Sequence, residues 1–153
     1  MMNKKDFSIV CIGAGNVATH LAQALQQKGF HLSQIYSRTQ ESAEALAQTL
    51  GCAWTTCLEQ VDEHADLYIV SVKDAVLETV ISQLVHCNPD ALYLHTAGSM
   101  PMEVWKEKFK NYGVAYPMQT FSKQREVNFE EVPFFLEANS PENLSLLQEI
   151  TGS

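Results

Sequence analysis

The sequence predicts an α/β protein built on a doubly wound, mostly parallel sheet, and three observations carry that expectation. Apolar, β-branched runs alternate with stretches of helical spacing from residue 7 to residue 116. The first run breaks at a turn, Gly13-Ala14-Gly15, before a helical stretch begins. The 153 residues, 46% hydrophobic and 18% charged, supply one sizeable core and hardly two.

Residues 7–12 are apolar and β-branched, as suits a central strand covered on both faces. Residues 16–28 change period: Val17, Leu21, Ala24 and Leu25 form one stripe, and Gly29 closes it. A second strand over 31–36 precedes a helix over 41–50, whose Ala43, Leu46, Ala47 and Leu50 share a face ahead of Gly51. A short strand follows at 53–55. The next strand, 67–72, leads into a helix through Val76, Leu77, Val80, Ile81, Leu84 and Val85 that Asn88-Pro89 ends. A strand at 91–95, a helix at 102–110 before Gly113 and a strand at 114–116 complete the alternation. Residues 132–136 form one more strand with no helix before it, so it is expected to pair antiparallel at the edge. Ser140-Pro141-Glu142 opens a last helix, with a serine cap, a proline at the first helical position and an acid at the positive end of the dipole. On this reading residues 1–139 are one domain, and 140–153 start a connecting helix toward a second domain outside this chain.

A net charge of −8 and a pI near 5.0 oppose general attraction to nucleic acid or to anionic membrane surfaces. Residues 1–6 are charged, and the apolar run 9–12 is too short for a signal core or a membrane span, so a cytoplasmic protein is expected. Cys11, Cys52, Cys57 and Cys87 form no CxxC pair and are expected as reduced thiols. The five histidines are scattered, so no metal site is expected.

Gly13-Ala14-Gly15-Asn16-Val17-Ala18 fits the GxGxxG/A fingerprint and stands where that fingerprint belongs, between a buried first strand and a helix. Gly13 permits the tight turn, Gly15 removes a side chain from the path of a pyrophosphate, and Ala18 lets the helix lie close on the strand. The amides of Asn16 and Val17 then face phosphate oxygens at a positive helix end. The plainer alternative is a glycine turn that joins strand to helix and holds nothing.

A site for NAD usually places an acid about 20 residues beyond the fingerprint, for the ribose hydroxyls. Here that stretch reads Ile35-Tyr36-Ser37-Arg38-Thr39. Hydroxyls and a guanidinium suit a 2′-phosphate, which a carboxylate would repel, so NADP(H) is expected. The alternative makes Arg38 a solvated cation and Thr39 a helix cap. The missing acid also disfavours an S-adenosylmethionine methyltransferase, and no tyrosine has a lysine four residues on, which disfavours a short-chain dehydrogenase.

In such sheets ligands lie at the carboxyl ends of the strands. Those ends offer Ser71, Val72 and Lys73 after the fourth strand, and His95, Thr96, Ala97, Gly98 and Ser99 after the fifth. His95 and Ser99 are the candidate catalytic groups, His95 because imidazole exchanges protons near neutral pH. The alternative makes His95 a strand-end histidine bonded to backbone, Ser99 a helix cap, Lys73 an exposed cation and Asp74 the cap of the following helix. Residues 116–121 could line a pocket at the same rim or be a strand exit.

The segments Ile12-Gly13-Ala14-Gly15-Asn16-Val17-Ala18-Thr19-His20-Leu21, Tyr36-Ser37-Arg38-Thr39, His95-Thr96-Ala97-Gly98-Ser99 and Tyr116-Pro117-Met118-Gln119-Thr120-Phe121 together resemble a family of NADP oxidoreductases. Its members join a Rossmann-like N-terminal domain to a C-terminal helical domain, on the plan of pyrroline-5-carboxylate reductase and 6-phosphogluconate dehydrogenase. The resemblance implies NADP at Gly13 to Ala18 and Ser37 to Thr39, with nicotinamide near Ser71, Val72 and Lys73 and near His95 to Ser99, Thr96 among them. It also implies a homodimer made by a helical domain that this chain does not contain, and a catalytic apparatus incomplete here. Hydride transfer to or from a small substrate is the leading expectation; a non-catalytic dinucleotide-binding or redox-sensing module is the alternative.

Overall fold

The computed structural model describes residues 3–118 and 133–152. Its sheet has seven strands in the order β3-β2-β1-β4-β5-β6-β7: β1 (Ser8–Ile12), β2 (His31–Tyr36), β3 (Ala53–Thr55), β4 (Leu67–Val70), β5 (Leu92–His95), β6 (Tyr112–Pro117) and β7 (Phe134–Ala138). All neighbours run parallel except the edge pair β6 and β7, which is antiparallel and puts Tyr116 opposite Phe135. The chain lays β2 and β3 on one side of β1 and then returns to its other side for β4, so the order reverses between β1 and β4.

Alternation along β1 divides the core into two layers, as a sheet buried on both faces requires. Ile9 and Cys11 face one cluster with Leu21, Leu25, Leu46 and Leu50, drawn from the helices α1 (Asn16–Gln27) and α2 (Gln40–Leu50). Val10 and Ile12 face a second cluster with Leu77, Ile81 and Leu84, of which Leu77 and Ile81 lie in α3 (Asp74–Ser82). Burial pushes the Cys11 thiol up to about 12 and that of Cys87, in the second layer, to about 11. The last helix, α4 (Pro141–Thr151), starts as its sequence indicates, the Ser140 hydroxyl accepting from the Asn143 amide. Leu147 and Ile150 place it on the first layer, so α4 is packed against the sheet rather than standing free of it.

Three elements differ from their expected form. The helix expected to run through Leu84 and Val85 to Asn88-Pro89 ends at Ser82, and Val85 is exposed. In place of a helix over 102–110 there is a single 3₁₀ turn, Met102–Trp105. Glu107 takes a left-handed conformation (φ 72°) that no helix continues through, and the chain turns so that Phe109 stacks on Tyr93 at 3.8 Å between ring centroids. Trp105 is fully buried there and donates its indole N–H to the Gly113 carbonyl. The expected strand 132–136 begins two residues later, at Phe134; Val132 lies outside the described residues, as do Gln119, Thr120 and Phe121.

Candidate functional site

The neighbouring strands β2, β1, β4 and β5 bring four loops to one rim: 37–39, 13–15, 71–73 and 96–99. Gly13 anchors the centre. Its φ is +120°, its amide donates to the Tyr36 carbonyl at 2.7 Å, and a Cβ built on it would lie 2.2 Å from the Ser71 carbonyl oxygen. The backbones of the first and fourth strand exits therefore touch at Gly13, where the sheet order reverses. Ala14 is buried. At Gly15 the opposite holds: a Cβ there would meet nothing within 4 Å. Gly15 is the N-cap of α1 and supplies no capping side chain, and the amides of Asn16 and Val17 have no partner among the described residues. A 12-residue helix thus turns its uncapped positive end toward open space, the arrangement that accepts a phosphate group. Ala18, 3% exposed, holds that helix close on the sheet.

At the end of β2, Ser37 is largely buried and its amide donates to the Thr55 carbonyl, while Arg38 and Thr39 are exposed. Thr39 is the N-cap of α2, but its hydroxyl makes no cap bond. Arg38 makes no ion pair among the described residues.

Past β4, Ser71 and Val72 are half-buried and Lys73 is exposed; Lys73, with extended backbone, is the N-cap of α3, and the expected cap Asp74 is its first helical residue. The Thr96 hydroxyl reaches the Ser71 hydroxyl at 3.0 Å and ties the β4 and β5 exits together. His95 is fully buried. Its Nδ1 accepts the Ala97 amide at 3.1 Å, which leaves Nε2 to donate to the Pro101 carbonyl at 3.2 Å. Ser99 is exposed, and its hydroxyl donates to the carboxylate of Asp74 at the start of α3. Nothing in the local sequence signals that contact, because the partners stand 25 residues apart. Gly98 lies flat against the Tyr116 ring, where a Cβ would come within 2.6 Å of it. Among the described residues no group of histidines, cysteines and carboxylates could hold a metal ion, and no helix is long and apolar enough to cross a membrane.

Burial lowers the imidazole pKa of His95, against the raising influence of the Pro101 carbonyl, Asp74 and Glu137. The unfolded chain takes up a proton here near pH 6.5 that the folded protein resists. The contribution to stability is whole above that pH and declines as the pH falls below it. Urea midpoints at about pH 7.5 and about pH 5.5 should therefore diverge more in the wild-type protein than in His95→Gln. Equal divergence would remove this account of His95.

The sheet order, the touching strand exits and the uncapped helix end define a Rossmann-type dinucleotide-binding domain. A model of the family described as NADP oxidoreductase, coenzyme F420-dependent, matches residues 8–97, more than half of the chain, and the chain belongs to that family. Among solved structures, a protein from Bacteroides fragilis described as a putative NADP oxidoreductase is 52% identical, with a TM-score of 0.94 over 98% of this chain and 58% of its own. Prephenate dehydrogenase from A. aeolicus is similar in fold, with 13% identity and a TM-score of 0.79 over 97% of this chain and 57% of its own. So is 1-pyrroline-5-carboxylate reductase from Streptococcus pyogenes, with 19% identity and a TM-score of 0.74 over 94% of this chain and 54% of its own. The chain thus spans 54 to 58% of these solved chains. No curated protein matches it.

Proposed function

We propose that this chain is the NADP(H)-binding part of an oxidoreductase, and that hydride passes at its rim to or from a small carbonyl, imine or alcohol. The observation that carries the reading is the open, uncapped helix end at Gly15. When bound, the dinucleotide supplies the hydride chemistry; the protein's part is to grip, orient and shield it. The amides of Asn16 and Val17 hold the pyrophosphate, with Gly13 and Ala14 shaping the turn beneath. Ser37, Arg38 and Thr39 hold the 2′-phosphate, through a cation and hydroxyls in a loop without an acid. Ser71, Val72, Lys73 and Thr96 line the nicotinamide side. His95, buried with both ring nitrogens bonded, braces the loop that carries Ser99 and exchanges no proton with substrate. Ser99 stands at the reacting end. A cytoplasmic location and a homodimer formed through helical residues outside this chain complete the proposal.

Arg38→Ala is expected to weaken NADPH by about 1–2 kcal/mol, roughly five- to thirtyfold, and to leave NADH unchanged. Titration of both nucleotides measures this. Equal losses would refute a 2′-phosphate grip.

A further inference from the structure

We propose that Asp74 is a positioning residue that fixes Ser99 as a hydrogen-bond acceptor for the carboxamide N–H of the nicotinamide, an assignment that rests on the dinucleotide reading above. A serine hydroxyl has one proton and two lone pairs, and in a free loop it serves equally as donor or acceptor. Here the choice is already made. A carboxylate only accepts, so the Ser99 proton is committed to Asp74, and the oxygen, on an exposed residue, keeps its lone pairs for a ligand that donates.

The loop that holds this oxygen is braced by contacts on both sides of Ser99 in the chain. Thr96 is bonded to Ser71, Ala97 and Pro101 are both bonded to the His95 ring, and Gly98 rests on the ring of Tyr116. An acceptor held by so many partners costs little further ordering when it meets a ligand. The two bonds that cross from the β4 exit to the β5 exit, Ser71 with Thr96 and Asp74 with Ser99, make the segments 71–74 and 96–99 a single unit. Along the rim, β2 and β1 carry the loops proposed for the 2′-phosphate and pyrophosphate, and β4 and β5 come next in line. The other end of a dinucleotide laid along that rim is its nicotinamide. The carboxamide is the neutral N–H donor on that ring. The other charged group nearby, Lys73, is a donor and cannot serve it.

The test compares NADP+ with its 3-acetylpyridine analogue, in which a methyl group replaces the amide nitrogen. A control ligand, 2′,5′-ADP, has no nicotinamide at all. The wild-type chain should prefer NADP+ about five- to tenfold, as one hydrogen bond allows. Ser99→Ala and Asp74→Ala should reduce that preference to within about twofold, with 2′,5′-ADP affinity unchanged. Asp74→Asn, whose amide oxygen still accepts the serine proton, should restore most of it. A full preference in Asp74→Ala, or a loss of 2′,5′-ADP binding in step with the loss of preference, overturns the positioning role. A wild-type chain that binds 2′,5′-ADP but shows no preference overturns it as well. Failure of the wild-type chain to bind 2′,5′-ADP overturns both this role and the nucleotide reading beneath it.

Discussion

Replacing Gly13 by alanine is expected to destabilise the protein by about 3–5 kcal/mol, the sum of two costs of similar size. The first is backbone strain, since φ is +120° and a side chain there has no favourable conformation. The second is overlap: the new methyl carbon would lie 2.2 Å from the Ser71 carbonyl oxygen, and backbone cannot step aside as a side chain tip does. Relief requires β1 and β4 to part at their carboxyl ends, where the Ser71 amide donates to the Ile12 carbonyl at 2.8 Å. Urea denaturation measures the loss as a lower midpoint at unchanged slope. A midpoint equal to that of the wild type would show that the two strand exits do not touch in solution.

Two residues further on, Gly15→Val is expected to do the reverse. Its backbone is extended (φ −78°) and nothing lies within 4 Å of a Cβ there, so stability should fall by about 1 kcal/mol or less, the cost of a poor N-cap. Nucleotide binding should suffer instead. The branched side chain fills the open space in front of the Asn16 and Val17 amides, and NADPH affinity should drop about a hundredfold, close to 3 kcal/mol. Calorimetric titration beside a denaturation curve separates the two effects. A Gly15→Val protein that binds NADPH as the wild type does would end the pyrophosphate assignment.

These two glycines also mark how far the sequence could be read. The first half of the sheet was plain, because each element there is specified by its own residues. An apolar, β-branched run made β1, Leu32, Ile35 and Tyr36 marked β2, and Gly29 and Gly51 closed the helices that follow these strands. The antiparallel edge was legible too, from a strand that lacked a preceding helix. Residues 102–110 misled because Met102, Val104, Trp105 and Phe109 have the spacing of a helix face. Burial of Trp105 and the stacking of Phe109 on Tyr93 are met instead by a 3₁₀ turn and a reversal at Glu107, which no local propensity announces. At the rim the fingerprint and the loop after β2 were readable as types of residue at known offsets. The contacts that decide what each side chain can do were not. His95 could be read as a proton donor or as a brace, and the bonds of its two nitrogens to Ala97 and Pro101 favour the brace. The bond between Asp74 and Ser99 depends on two loops that only the finished sheet brings together.

The inward-facing sulfur of Cys11 has a bearing on how the molecule ages. It sits in the strand that runs into Gly13, inside the first layer, where burial pushes its pKa up to about 12. Oxidants and alkylating agents attack the thiolate, which this position never exposes in quantity. Damage by peroxide should therefore begin elsewhere and leave the strand behind the glycine turn chemically intact.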